Sequence, residues 1–214
     1  MTLDEMFDEM DLYGFDDFED AQKLTLLNEA YFDLVTREPW PFMEKLLPSL
    51  VVPVGTERIT NNTFSGSPTD VGSVLSFVDL TNDTVMVPER FDVIEKMYRV
   101  NDLSSTPINY YFVGDELYVY PVTKGATTYR LTYIRVPEVA QTTSDTFLIP
   151  ARHHSIIVYG ALVKAFLVND DPQAAVFQNM FESRYQQMRN DVWMNQYDRP
   201  DRIHVLSDGY DWNY

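Results

Sequence analysis

One run, SIIVYGALVKAFLV from Ser155 to Val168, constrains the fold more than any other part of the chain. Placed on a helix, Ile156, Ile157, Tyr159, Ala161, Leu162, Val163, Phe166 and Leu167 cover nearly the whole circumference. Such a helix has no face to offer to water and must be surrounded by protein. Lys164 interrupts the run, which also falls short of the roughly 20 apolar residues that a membrane span takes. The expectation is therefore a central core helix in a soluble protein, and the rest of the chain must supply its coat.

Helical partners stand on both sides of it. Downstream, Asp170 or Asp171 can cap a second helix and Pro172 suits its first turn, while Phe177, Met180, Phe181, Met188 and Val192 give it an inward stripe. The two helices form a hairpin. Upstream, DAQKLTLLNEAYFDLVTRE places Leu24, Leu27, Tyr31, Leu34 and Val35 on one face, with Asp20 positioned as cap and Pro39 as terminator. PWPFMEKLLP reads as a Pro-bounded turn with one or two helical turns, Trp40 and Phe42 sealing the helix against the core. In TLDEMFDEM, Leu3, Met6, Phe7 and Met10 recur at helical spacing. Two readings stay open there: a short amphipathic helix docked on something, or a frayed acidic tail.

From Leu50 to Val136 the texture changes to β-branched and aromatic residues with many turn formers. INYYFVGDELYVYPV reads as two strands around a tight Gly114-Asp115 turn. In TTYRLTYIRV, Tyr129, Leu131 and Tyr133 alternate with Arg130 and Thr132, which predicts a third antiparallel strand. GSVLSFVDL, TVMVP and IEKMYRV are weaker strand candidates, and TNNTFSGSPTD reads as an exposed loop. The predicted class is α+β: a helical bundle, made of an N-terminal helix and a C-terminal helical hairpin, with an inserted antiparallel β region. The divisions are an acidic arm over 1–19, a helical core over 20–49 and 139–194, a β subdomain over 50–138, and an extended arm over 195–214. That last arm carries aromatics and charges but no sustained period.

Charge narrows the function. With 33 acidic and 16 basic residues the net charge is −17, and a duplex repels such a surface. The first 20 residues hold nine acids and no Lys or Arg, so −9 of the −17 sits there and −8 on the rest. Direct grip on DNA is not expected. The absence of cysteine excludes a disulfide framework, thiolate metal sites and thiol nucleophiles, and fits assembly in a reducing cytoplasm. No basic, apolar leader opens the sequence, so export by a cleaved signal is not expected.

Motifs for catalysis are wanting. His153 and His154 are adjacent, which on a helix sets their side chains about 100° apart, so one metal ion does not easily take both. They read as a polar first helical turn. His204 is the remaining histidine, and no metal-binding His spacing exists. Ser155 lacks a nucleophile elbow, and the eight glycines form no phosphate loop. Carboxylate pairs such as Asp16 with Asp17, or Asp170 with Asp171, arise by chance among 33 acids. The 14 tyrosines concentrate in strands, where cross-strand pairing explains them better than sugar binding does. No metal, cofactor or catalytic residue is assigned.

The order of pieces now carries more than any one of them. A hairpin ending in a Leu-Tyr-x-Tyr-Pro run (Leu117 to Pro121) precedes a Pro-x-x-His element (Pro150 to His153). An apolar helix with Gly160-Ala161 follows, then an acidic turn and an Ala-rich helix (Asp170 to Ala175). Over about residues 20 to 192 this layout resembles the head-to-tail adaptor proteins of tailed bacteriophages, and NEAYFDLVTREPWPFMEKL is similar to that family's opening helix. The resemblance implies a virion structural protein of the neck rather than an enzyme, assembled in the host cytoplasm. It would form a ring, usually dodecameric, between portal and tail, with DNA passing through unbound at genome ejection. Its implied partners are the portal protein, neighbouring subunits and a downstream tail or neck protein, with no membrane. Within this reading Ile156, Tyr159, Gly160, Ala161, Val163 and Phe166 form the core pillar, Gly160 and Ala161 permitting close helix approach. Tyr197, Ile203, Val205, Leu206, Tyr210, Trp212 and Tyr214 are the partner-binding residues of the C-terminal arm. Another neck or tail-completion protein shares the composition, and a carboxylate-dependent hydrolase would need acids converging in a pocket.

Overall fold

The computed structural model describes residues 1–98, 107–122, 124–142, 144–169 and 171–197. They form a mixed α+β structure with five α-helices and seven strands, divided into two compact units. One joins Met1–Pro41 to the described residues from Ala140 onward, and the other is Phe42–Val139.

In the helical unit, every residue of α4 (Ser155–Val168) from Ile156 to Phe166 is buried except Lys164, and only Leu167 and Val168 at its end stand exposed. Its neighbours are α2 (Asp20–Val35) and α5 (Gln173–Tyr197), with α1 (Leu3–Met10) touching it as well. Burying a full Ile or Leu side chain stabilises by about 1.5–3 kcal/mol, so Ile156 and Leu162 together outweigh the ~1 kcal/mol that a mid-helix glycine costs. Gly160 is there for space. A Cβ on it would stand 3.0 Å from the Ala30 Cβ of α2 and 3.2 Å from Cε2 of Phe181 on α5.

The acidic start of the chain is a docked helix, not a frayed tail. Thr2 caps α1, its hydroxyl taking the Glu5 N–H while the Glu5 carboxylate takes the Thr2 N–H. Leu3, Met6, Phe7 and Met10 are buried, and Asp4, Glu5 and Asp8 point outward. A π-helical turn over Asp11–Phe15 follows, with Gly14 in the left-handed region at φ 91° and Phe15 edge-on to Phe166. Other helix ends differ from expectation by small steps. Glu19, not Asp20, stands at the cap of α2, its backbone N–H donating to the Gln22 side-chain oxygen at 3.0 Å. Asp171 Oδ1 accepts the Gln173 N–H to open α5. Met180, expected in the inward stripe of α5, is exposed; the buried line is Ala174, Phe177, Phe181, Tyr185, Met188 and Val192. The helix also runs on to Tyr197, so the extended segment expected from 195 begins as helix.

The β unit holds two sheets. The first has the order β1-β7-β2-β3, with β1 (Glu44–Val52), β2 (Val71–Asp79), β3 (Thr84–Val85) and β7 (Thr127–Arg135) all antiparallel. The second has the order β4-β5-β6, in which β4 (Val87–Pro88) runs parallel to β5 (Asn109–Val113) and β6 (Glu116–Tyr120) closes the hairpin. Gly114 supplies the positive φ of 60° at the first turn position, as a type II′ turn needs. Leu50, Val52, Phe77, Tyr129, Leu131 and Tyr133 from the first sheet share a core with Leu117 and Val119 from the second. The other face of the hairpin, Tyr111 and Tyr120, is covered by Ile94 of α3 (Phe91–Tyr98).

Three expectations need correction here. Residues 44–49, assigned to the helical side, are strand β1; Pro48 is tolerated because it sits at a bulge between Leu47 and Leu50 on the sheet's edge. IEKMYRV is not a strand: through Tyr98 it is helix α3, whose Phe91 and Ile94 repeat at helical spacing with Asp92 in the first turn and Lys96 in the last. The antiparallel strand expected at TTYRLTYIR is there as β7, an inner strand of the first sheet between β1 and β2. TNNTFSGSPTD is exposed only in part, since Thr60 and Ser67 are buried and the Ser67 hydroxyl donates to the Ile59 carbonyl.

Candidate assembly site

The residues with the chemistry of an active site are engaged in structure. His153 and His154 stand in the short helical turn that leads into α4, and both are buried there. His154 sets its ring between the carbonyls of Met1 and Ile149, each 2.8 Å from a ring nitrogen, and so ties α1 to the base of α4. Arg152 Nε donates to His153 Nε2 at 3.0 Å, and Asp191 lies 3.5 Å from the same nitrogen. Burial and the nearby Arg152 guanidinium hold the His153 imidazole below its ordinary value, against the pull of Asp191. Among the described residues no group of three or more His, Asp or Glu side chains is placed to hold a metal ion. Asp16 and Asp17 are exposed, and Asp170 lies outside the described residues. Asp79 is buried, but its Oδ1 takes the N–H groups of Thr81 and Asn82, so it serves the turn after β2.

What the helical unit does present is a set of locks between its helices. Lys164 bridges to Asp33 at 2.7 Å and Glu29 at 3.4 Å on α2, which resolves the one charge in the apolar run. Burial pulls its pKa down, but the two carboxylates outweigh that and hold it above the ordinary lysine value. Glu38, just past α2, accepts from Tyr185 on α5 and from Trp193 at 3.2 Å, and pairs with Arg189 at 2.8 Å. Burial pushes Glu38 up, yet these donors together hold its carboxyl below the usual range, while burial and the same carboxylate push the Tyr185 hydroxyl up to about 12. Trp40 is fully buried beside it, its indole N–H donating to the Leu34 carbonyl. Lys23 is buried and paired with Asp11. The periodicity of the sequence missed Glu38 and Lys23, because it follows apolar spacing and both are polar; the one available signal was their place inside apolar helical windows.

All six pillar residues, Ile156, Tyr159, Gly160, Ala161, Val163 and Phe166, lie on α4 and are buried. Of the arm residues, Tyr197 is the last residue of α5, and Ile203, Val205, Leu206, Tyr210, Trp212 and Tyr214 lie outside the described residues. No helix among the described residues is long and apolar enough to cross a membrane. The family model of the SU10 adaptor protein matches residues 1–204, almost the whole chain. The chain belongs to the SU10 adaptor protein family. A comparison with curated proteins finds no match. SU10 adaptors are phage head-to-tail adaptors, so the resemblance seen in the hairpin, the Pro-x-x-His element and the apolar helix points to the right family. As a member of an adaptor family this chain is a structural protein of the phage particle, and the match takes in α1, both units and the arm as far as residue 204.

Proposed function

We propose that this SU10 adaptor forms a ring, dodecameric in the usual case, below the portal and joins it to the tail at the virion neck, with DNA passing through the ring. The observation that carries the reading is the family match over residues 1–204. The structure supports it through construction: α4 is a buried pillar locked to α2 by Lys164 and to α5 by packing at Gly160, which suits a part that bears load between two larger assemblies. Part of the acidic surplus lines the lumen, so that DNA slides without adhering. The arm residues Tyr197, Ile203, Val205, Leu206, Tyr210, Trp212 and Tyr214 take the portal or a neighbouring subunit as their partner. The test is a map of the virion neck. It should show this chain directly beneath the portal with Asp and Glu facing the channel; density elsewhere in the neck or tail, or a channel lined mainly by Lys and Arg, would overturn the reading.

A further inference from the structure

The first sheet of the β unit ends in two unlike edges. At one end β1 pairs with β7 alone, and its outer side from Lys45 to Val52 meets no strand among the described residues. At the other end β3 covers only Val78 and Asp79 of β2, and the Met86 N–H donates to the Phe77 carbonyl. That leaves the outer side of Val71–Ser76 without a backbone partner among the described residues.

The second sheet treats its edges differently. Residues 57–60 cover β6: the Ile59 N–H donates to the Leu117 carbonyl, the Val119 N–H to the Glu57 carbonyl, and the Leu117 N–H to the Thr60 hydroxyl. Its other edge, β4, is two residues long and ends in proline. Open strand edges are templates for another strand, and proteins commonly blunt them with charges. Here the chain is 23% charged, yet residues 46–55 and 71–78 carry no charge at all. The large apolar side chains exposed along these edges are Leu46, Val51 and Leu75, each more than half exposed, and the other exposed residues there are uncharged as well.

We infer that β1 of one copy pairs with the outer edge of β2 in the next, so that the sheet continues from subunit to subunit. The inference rests on the ring reading above and names the contact that builds it. Two unlike edges on one molecule make a head-to-tail contact, the kind that closes into a ring rather than a twofold pair. A second copy is the occupant because this surface lets two chains of net charge −17 approach along segments that carry no like charges. Neither edge is strong by itself. β1 is broken by Pro48 and its bulge, and β2 has register shifts between Val71 and Ser73 and between Val74 and Ser76. Each offers only short regular spans, which suits contacts that form when subunits are already held side by side.

Hydrogen exchange on the full chain, free and assembled on purified portal rings, reads this directly. Slowing by tenfold or more in both 45–52 and 71–76 on assembly is expected. Val51→Lys and Leu75→Lys, placed at exposed positions, should each cut ring formation at least tenfold while leaving the melting temperature of the free chain unchanged. Rings that form with both segments exchanging as in the free chain would overturn the inference and leave the ring reading standing. Protection of 45–52 alone would mean that a strand of the portal or tail occupies β1, and would overturn the second-copy occupant. Failure to form any ring on the portal would bring down the ring reading and the inference with it.

Discussion

Glu38 accepts from three side chains of α5, Tyr185, Arg189 and Trp193, and so a single carboxylate fixes the end of one helix against another. Removing its charge while keeping its shape leaves the buried Tyr185 hydroxyl, the half-buried Trp193 indole and Arg189 with a weaker acceptor. Glu38→Gln should cost about 1–3 kcal/mol in a urea titration. Because the folded carboxyl is held below its ordinary value, this stabilisation is fully present above the usual carboxylate range and is lost as pH falls through the folded value. The acid limb of the stability curve should therefore flatten in the variant. His153 gives the opposite kind of residue, a base held neutral. With its imidazole value depressed by burial and Arg152, the unfolded chain binds the proton more readily, so stability falls as pH drops through the ordinary imidazole value of about 6.5. Urea midpoints taken on both sides of that value should differ more for the native chain than for His153→Gln.

At the scale of elements, α4 tests how tightly the helices are set. Gly160→Ala gains about 1 kcal/mol of helix propensity but forces a methyl to 3.0 Å from the Ala30 Cβ, and overpacking of that kind costs about 1–3 kcal/mol. A net loss of up to about 2 kcal/mol is expected, and adding Ala30→Gly should recover part of it, a coupling that a double-mutant cycle measures. The same elements show what was legible beforehand. Helix α4 could be read because being apolar all round admits one placement, and β7 because its alternation runs unbroken from Tyr129 to Tyr133. Strand β1 could not, since a proline inside an apolar run looks like a breaker unless the bulge that hosts it is known. Helix α3 hid behind adjacent Val93 and Ile94, β-branched residues that favour strands when taken alone; covering Tyr111 and Tyr120 decided the matter. The open edges of β1 and β2 were less legible still, because an open strand edge is a property of pairing and leaves no residue type to mark it.

For the whole molecule, charge governs association. Like charge accumulates when subunits of net charge −17 are brought together, and 16 basic residues, several of them already paired within the helical unit, cannot wholly offset it. The free chain should therefore run as a monomer by native mass spectrometry at physiological salt and close into rings only with portal present; a stable ring without portal would show that the subunit contacts suffice alone. The division into two units has one further outcome, optical in kind. Of the three tryptophans, Trp40 and Trp193 flank Glu38 and Trp212 belongs to the C-terminal arm, whereas the β unit contains none. Indole emission during heating thus follows the helical unit while the tyrosine-rich β unit stays dark to it, so an emission melt that precedes or trails the loss of the strand signal in circular dichroism would time the two unfoldings separately without any label.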